Sequence, residues 1–138
     1  MKASDVMSLG AATITHDASL AQAIRTMANH HISALPVVDR GGQLQGIISE
    51  GDFFRREERP ARLTALFGAD ANARINALES RTVGEIMSRD PITIGSDASM
   101  EEAIELMECH AVKRLPVVTD GRVVGLISRA DVLHALVA

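Results

Sequence analysis

Residues 7–54 and 87–133 are one pattern written twice, at an offset of 80 with a single extra residue, Gly42, in the first copy. Twenty of the 47 paired positions are identical, and they fall in blocks: Asp17-Ala18-Ser19 with Asp97-Ala98-Ser99, Leu35-Pro36-Val37-Val38 with Leu115-Pro116-Val117-Val118, and Gly46-Ile47-Ile48-Ser49 with Gly125-Leu126-Ile127-Ser128. Asp52 and Asp131 follow three residues after the serines. Order, spacing and chemistry are kept together, which marks a duplicated structural unit. The apolar face of one copy is the natural partner of the other, so the two are expected to pack about a pseudo-twofold axis, with any cleft present twice.

At 138 residues the chain reads as one domain able to bury roughly two thirds of its unfolded surface without covalent staples. Its single cysteine, Cys109, has no intramolecular partner, and no paired Cys and His pattern suggests structural zinc. No run of residues has the length of a membrane span, and the first fifteen lack the pattern of a signal peptide. A soluble, cytoplasmic protein is expected, with no membrane partner. A net charge of -4, no Trp or Tyr, and three Phe residues argue against nucleic acid as a partner, because phosphate affinity needs accumulated Lys and Arg and unstacked bases need aromatic faces.

Each copy reads as strand, helix, strand, strand, helix, an α+β arrangement. In the first, residues 12–14 form a short strand. Ser19 then caps a helix to about His30, with Gln22 placed to close a capping box and Leu20, Ala23, Ile24 and Met27 on its buried face. Two β-rich runs, 35–38 and 44–48, flank hairpin residues Asp39-Arg40-Gly41-Gly42, and Ser49 opens the closing helix. The second copy repeats this with a strand at 92–94, a helix capped by Ser99 and Glu102, strands at 115–118 and 122–127 around Thr119-Asp120-Gly121, and a helix from Arg129. Matching leaders, residues 4–8 and 84–88, precede both copies. The expected domains are repeat 1 over 1–58, a helical connector over 59–82 and repeat 2 over 83–138.

Residues 55–82 have no counterpart elsewhere in the chain. Leu63, Leu66, Phe67, Ala71, Ile75 and Leu78 lie at helical spacing with Gly68 as a break, predicting one or two amphipathic helices. Arg55, Arg56, Arg59 and Arg62, interleaved with Glu57 and Glu58, read as a solvated helix face. His30 and His31 read as helix-terminating residues and not a metal pair. Cys109 and His110 diverge on a helix and lack a third group to orient them. No G-x-S-x-G, H-E-x-x-H, P-loop or dinucleotide fingerprint occurs, so no catalytic residue, metal site or cofactor is assigned, and the chain is not read as an enzyme.

The Met-Ser leader, Asp-Ala-Ser, Leu-Pro-Val-Val and Gly-hydrophobic-hydrophobic-Ser-x-x-Asp, all present twice, closely resemble a tandem pair of CBS domains of the stand-alone bacterial type (a Bateman module). The resemblance spans nearly everything except residues 55–82. It implies two repeats about a pseudo-twofold axis, pairing of two modules into a flat disc-shaped homodimer, and adenosine-containing effectors such as AMP, ADP, ATP or S-adenosylmethionine in clefts between the repeats. It also implies an output through an effector protein that the sequence does not identify.

Ser49 and Ser128 stand where a strand ends and a helix starts, so a hydroxyl and first-turn N–H groups face one point suited to a phosphate. Asp52 and Asp131, three residues on, are placed to accept from both hydroxyls of a ribose. Pro36 and Pro116 lack an N–H and leave neighbouring backbone groups to a purine edge. The same Ser-x-x-Asp pattern is also what an ordinary helix cap selects, and the two roles are compatible. Lys113 and Arg114 precede the second strand of repeat 2 and Arg129 follows Ser128; repeat 1 has Ser33, Ala34 and Glu50 there. Lys113 and Arg114 match basic residues that contact phosphate in the nucleotide-sensing kinase subunits the chain resembles. Without the family they also read as a charged strand edge that resists aggregation. The favoured site is therefore Ser128, Asp131, Arg129, Lys113 and Arg114, with Val112, Ile92 and Pro116 along the base. Ser49, Asp52, Ile32 and Pro36 form a weaker second site. The main alternative is a dimeric scaffold with empty clefts that recruits a partner through the 55–82 segment.

Overall fold

The computed structural model describes residues 1–9, 12–54 and 63–138. Its elements are α1 (Ala3–Val6), β1 (Ser8–Leu9), β2 (Ile14–Thr15), α2 (Leu20–His30), β3 (Ala34–Val38), β4 (Leu44–Ser49), a 3₁₀ turn (Glu50–Phe54), α3 (Leu63–Gly68), α4 (Ala71–Glu79), α5 (Val83–Ile86), β5 (Ser88–Arg89), β6 (Ile94–Gly95), α6 (Met100–His110), β7 (Arg114–Thr119), β8 (Arg122–Ser128) and α7 (Arg129–Leu136). Both copies follow the expected strand, helix, strand, strand order. The closing segment of the first is a 3₁₀ turn as far as Phe54, where the second has an α-helix.

Local chemistry accounts for most boundaries. Ser19 and Ser99 cap α2 and α6 by accepting the N–H of Gln22 and Glu102 at 3.0 and 3.2 Å. Both helices end in a left-handed residue, His31 and Ala111, each with φ near 53°. The next residues, Ile32 and Val112, donate their N–H back to the carbonyls of Met27 and Met107. These are Schellman closures, and the hydrophobic residue after the cap folds onto the core beside the helix, as Ile32 and Val112 do. The β7–β8 hairpin turns through Asp120 and Gly121, both at positive φ, with Thr119 opposite Arg122, the geometry a two-residue Asp-Gly loop provides.

The chain divides into two compact units that do not coincide with the two sequence copies. One comprises Met1–Ala11, Gly41–Leu44 and Asp90–Ala138; the other comprises Ala12–Arg40 and Gln45–Arg89. Each contains a four-stranded sheet, β1-β8-β7-β6 and β2-β3-β4-β5 respectively. The parallel pairs β6–β7 and β2–β3 are each joined through a helix, and the edge strands β1 and β5 run antiparallel to β8 and β4. Those edge strands are the leaders, so each leader completes the sheet of the other copy.

Two glycines make this exchange sterically workable. A Cβ on Gly46 would lie 2.6 Å from the Ser88 carbonyl oxygen and 2.9 Å from Met87 Sδ. A Cβ on Gly125 would overlap Met7 Sδ and lie 2.8 Å from Met7 Cγ. The glycine of the Gly-hydrophobic-hydrophobic-Ser block is thus the seat of the leader methionine. The leader helices are anchored alike: Ala3 and Ser4 donate to the Ala98 and Ser96 carbonyls at 2.7 and 3.0 Å, and Val83 and Gly84 donate to Ala18 and His16 at 2.8 and 2.7 Å. Otherwise unpaired N-terminal N–H groups are satisfied this way.

The cores are near copies. Ile14, Ala23, Met27, Leu35, Val37 and Ile48 in one unit correspond to Ile94, Ala103, Met107, Leu115, Val117 and Ile127 in the other. Val83, Ile86 and Met87 join the first core and Ala3 the second, so leader residues are core residues. In the insert, Leu66 is buried and Leu78 packs on the first core, while Phe67 and Ile75 are exposed, Phe67 lying against the Arg74 guanidinium. Gly68 ends α3 and Asp70 caps a new helix, so the apolar spacing does not continue in phase across the break. The charged run Arg55, Arg56, Glu57, Glu58, Arg59 and Arg62 lies outside the described residues. Among the described residues no helix is long and apolar enough to cross a membrane.

Candidate functional site

The second-repeat site is assembled where β7 begins and β8 ends. Arg114 stands directly opposite Ser128 in the antiparallel ladder, with Leu115 opposite Ile127 and Pro116 opposite Leu126. Side chains directly opposite share a face, and the faces alternate along the strand. Leu115, Val117 and Ile127 occupy the core face, so Arg114, Pro116 and Ser128 fall on the other. One step further out, the Arg129 N–H donates to the Lys113 carbonyl at 3.0 Å and clasps the ends of both strands. Lys113, Arg114, Ser128 and Arg129 are therefore held together by backbone bonding. Lys113 and Arg129 are exposed and Arg114 is half-buried.

Asp131 and Ser128 form a reciprocal capping box. The Ser128 N–H donates to Asp131 Oδ2 at 2.8 Å, and the Asp131 N–H donates to Ser128 Oγ at 3.2 Å. This alters the anion chemistry expected from sequence, because the N–H groups of residues 128, 129 and 131 are all engaged within the protein. For an anion this leaves the side chains of Lys113, Arg114 and Arg129 and the Ser128 hydroxyl, which still has its own proton to donate. Asp131 is half-buried and caps through Oδ2.

Ile92 and Val112 are half-buried and pack against the second core. Pro116 is fully buried, one residue before the β6–β7 pairing begins at Val117, and Pro36 is fully buried in the same relation to Val37. In the first repeat Ile32 packs on its core, and the Glu50 N–H donates to the Ser33 carbonyl at 3.0 Å, reproducing the clasp. Its carboxylate differs from Asp131. Asp52 is only 4% exposed, and its Oδ2 accepts the Ser49 N–H at 2.7 Å and lies 3.4 Å from Ser49 Oγ. Its Oδ1 lies 3.5 Å from the hydroxyl of Ser88, a residue of β5. That partner is not evident from sequence, although the Met-Ser leader that supplies it is. Cys109, His30 and His110 are exposed, and among the described residues no three His, Cys, Asp or Glu side chains group as a metal set.

Two junctions with the same clasp and the same bond from the serine N–H to the aspartate carboxylate three residues on, in sheets completed by exchanged leaders, constitute a repeated fold and not a chance similarity of motifs. The CBS domain family model matches residues 3–59 and 83–138. This chain belongs to the CBS domain family and carries two copies. It is 32% identical over 133 residues to a CBS domain-containing protein of Dictyostelium discoideum, covering 96% of this chain and 88% of that one. It is 33% identical over 135 residues to inosine-5'-monophosphate dehydrogenase of Methanocaldococcus jannaschii, where 96% of this chain spans only 23% of the enzyme. The CBS domain pair of protein MJ0100, solved in complex with 5'-methylthioadenosine and S-adenosyl-L-methionine, superposes with a TM-score of 0.76 at 27% identity, covering 99% of each chain. That CBS pair thus holds adenosyl ligands.

Proposed function

We propose that this chain is a non-catalytic regulatory module that binds an adenine nucleotide, AMP, ADP or ATP, at the Ser128–Asp131 junction of its second CBS repeat and acts as a homodimer on an effector protein. One observation carries the reading: the Arg114–Ser128 pairing and the Arg129–Lys113 clasp set the backbones of three cationic residues and a serine side by side, three residues or fewer in sequence or ladder from the half-buried Asp131. Asp131 would accept from the ribose hydroxyls, Lys113, Arg114, Arg129 and Ser128 would hold the phosphate, and Ile92, Val112 and Pro116 would face the base. Exposed Leu133, Leu136 and Val137 near the end of α7 support pairing with a second copy.

S-Adenosylmethionine is the second reading, supported by the ligands of the MJ0100 pair. The cations weigh against it, because a sulfonium is repelled where a phosphate is attracted. Thermal unfolding with AMP, ADP, ATP, adenosine and S-adenosylmethionine decides between them. A ligand at a hundred times its Kd adds about 2.7 kcal/mol, a midpoint rise of several degrees. The nucleotides should stabilise the protein and Asp131→Ala should abolish the effect. Stabilisation by S-adenosylmethionine alone, or by none of the five, would overturn the proposal.

A further inference from the structure

We infer that Asp52 serves the fold and not the ligand: it fastens β5, the strand that opens the second repeat, to the 3₁₀ turn that closes the first, and each chain therefore takes one nucleotide, beside Asp131. The stoichiometry rests on the nucleotide reading above; the fastening role of Asp52 and Ser88 does not.

Asp52 and Asp131 are the same residue in the same motif, yet their surroundings diverge. Asp131 is half-buried and bonds to its own cap residue, Ser128. Asp52 is 4% exposed, with Oδ2 on Ser49 and Oδ1 on Ser88. A carboxylate so enclosed is stable only while its donors stay in place, and turning it toward a ribose would leave those donors unsatisfied. Ser88 sits opposite Ile47 in a strand of two residues, too short to hold its place by ladder bonds alone. Its counterpart in the first leader, Ser8, is exposed.

The surrounding charge agrees. Where the second repeat has Lys113, Arg114 and Arg129, the first has Ser33, a buried Ala34 and an exposed Glu50. At these three positions a phosphate would meet one like charge where the second repeat offers three cations.

The test pairs calorimetric titration of the full chain with AMP and thermal unfolding without ligand. One AMP per chain is expected, with Asp131→Asn weakening binding at least tenfold. Asp52→Asn and Ser88→Ala should leave Kd within threefold of the parent, yet each should lower the ligand-free midpoint by roughly 3 to 6 °C. The double variant should fall little further than Asp52→Asn alone, because both changes break one contact. Should Asp52→Asn not fold, Ser88→Ala carries both readouts. Two AMP per chain, or a loss of affinity in Asp52→Asn matching that in Asp131→Asn, overturns the inference. So does a pair of midpoint losses that simply add. If the parent binds no AMP, the nucleotide reading and the stoichiometry fall together, while the midpoints still decide whether Asp52 fastens β5.

Discussion

Replacing Gly125 or Gly46 by alanine tests the leader exchange, and the two substitutions should behave differently for a reason visible in the contacts. At Gly125 the three atoms nearest to an added methyl group all belong to the side chain of Met7, Sδ, Cγ and Cβ. At Gly46 the nearest atom is a backbone oxygen, Ser88 O at 2.6 Å, with Met87 Sδ next at 2.9 Å. Overpacking of this kind costs about 1–3 kcal/mol. At Gly125 that cost should fall sharply if Met7 is first shortened to alanine, because Sδ and Cγ are then gone and only Cβ, at 3.0 Å, remains. At Gly46, shortening Met87 leaves the carbonyl in place, and that carbonyl cannot retreat without pulling β5 from β4, where Gly46 pairs with Arg89 and Ile47 with Ser88. Urea unfolding of the two double-mutant cycles should give a coupling of about 1–2 kcal/mol for Gly125→Ala with Met7→Ala, and under about 0.5 kcal/mol for Gly46→Ala with Met87→Ala. Equal couplings in both cycles, or additivity at Gly125, would refute the seating of Met7 on β8.

Ala111 holds a left-handed conformation at φ 53° that favours glycine, so Ala111→Gly should raise stability by about 0.5–1 kcal/mol in the same assay. Arg122 donates from Nε and Nη2 to the Gly41 carbonyl at 2.9 and 2.6 Å, and Arg122→Ala should cost about 1 kcal/mol with little change in AMP affinity. The Glu85 carboxyl is held below its usual 4.5 by the Arg81 guanidinium and the Thr82 N–H. A depressed folded-state value means this contribution is present above the unfolded value and lost as pH falls through the folded one. The thermal midpoint of Glu85→Gln should therefore fall less than the parent's on acidification through that window, and NMR titration should place the Glu85 midpoint below 4.5.

Much of the fold could be read from short-range chemistry. Ser19 and Ser99 cap the helices that the serines predicted, and Asp120-Gly121 turns the hairpin with both residues at positive φ. What sequence did not disclose is non-local. Nothing in Met7-Ser8 or Met87-Ser88 says which sheet each will join, because a two-residue strand has no pattern beyond its own neighbours. Its partner is set by a glycine more than forty residues behind Met87, or more than a hundred ahead of Met7. The insert shows a related limit. The break at Gly68 is legible in sequence, but which apolar residues each short helix buries is not: Leu66 and Leu78 go in while Phe67 and Ile75 stay out. Asp52 and Asp131 looked alike because the motif they share is the part that the cap fixes.

The duplication also separates the residues that make the fold from those that set its charge. Glycine, leader methionine, cap serine and core valines are the same in both copies, and each has a packing or capping reason to be so. Positions 33/113 and 50/129 differ between the copies, yet both copies keep the same backbone bond there, Glu50 N–H to Ser33 O and Arg129 N–H to Lys113 O, which any residue with an N–H and a carbonyl supplies. The exposed side chains of Lys113 and Arg129 can therefore change without loss of that bond, and exchanging the pairs tests whether they carry function. Lys113→Ser with Arg129→Glu should reduce AMP affinity at least tenfold while changing stability by no more than about 0.5 kcal/mol, since both side chains are exposed. Adenosine, which has no phosphate to lose, should respond far less. The reverse exchange, Ser33→Lys with Glu50→Arg, supplies cations to the first copy but leaves Asp52 enclosed, and a buried Ala34 has no room for the missing arginine. If cations alone made the site, this variant would gain a second AMP per chain. If the environment of the carboxylate decides, it will still bind one.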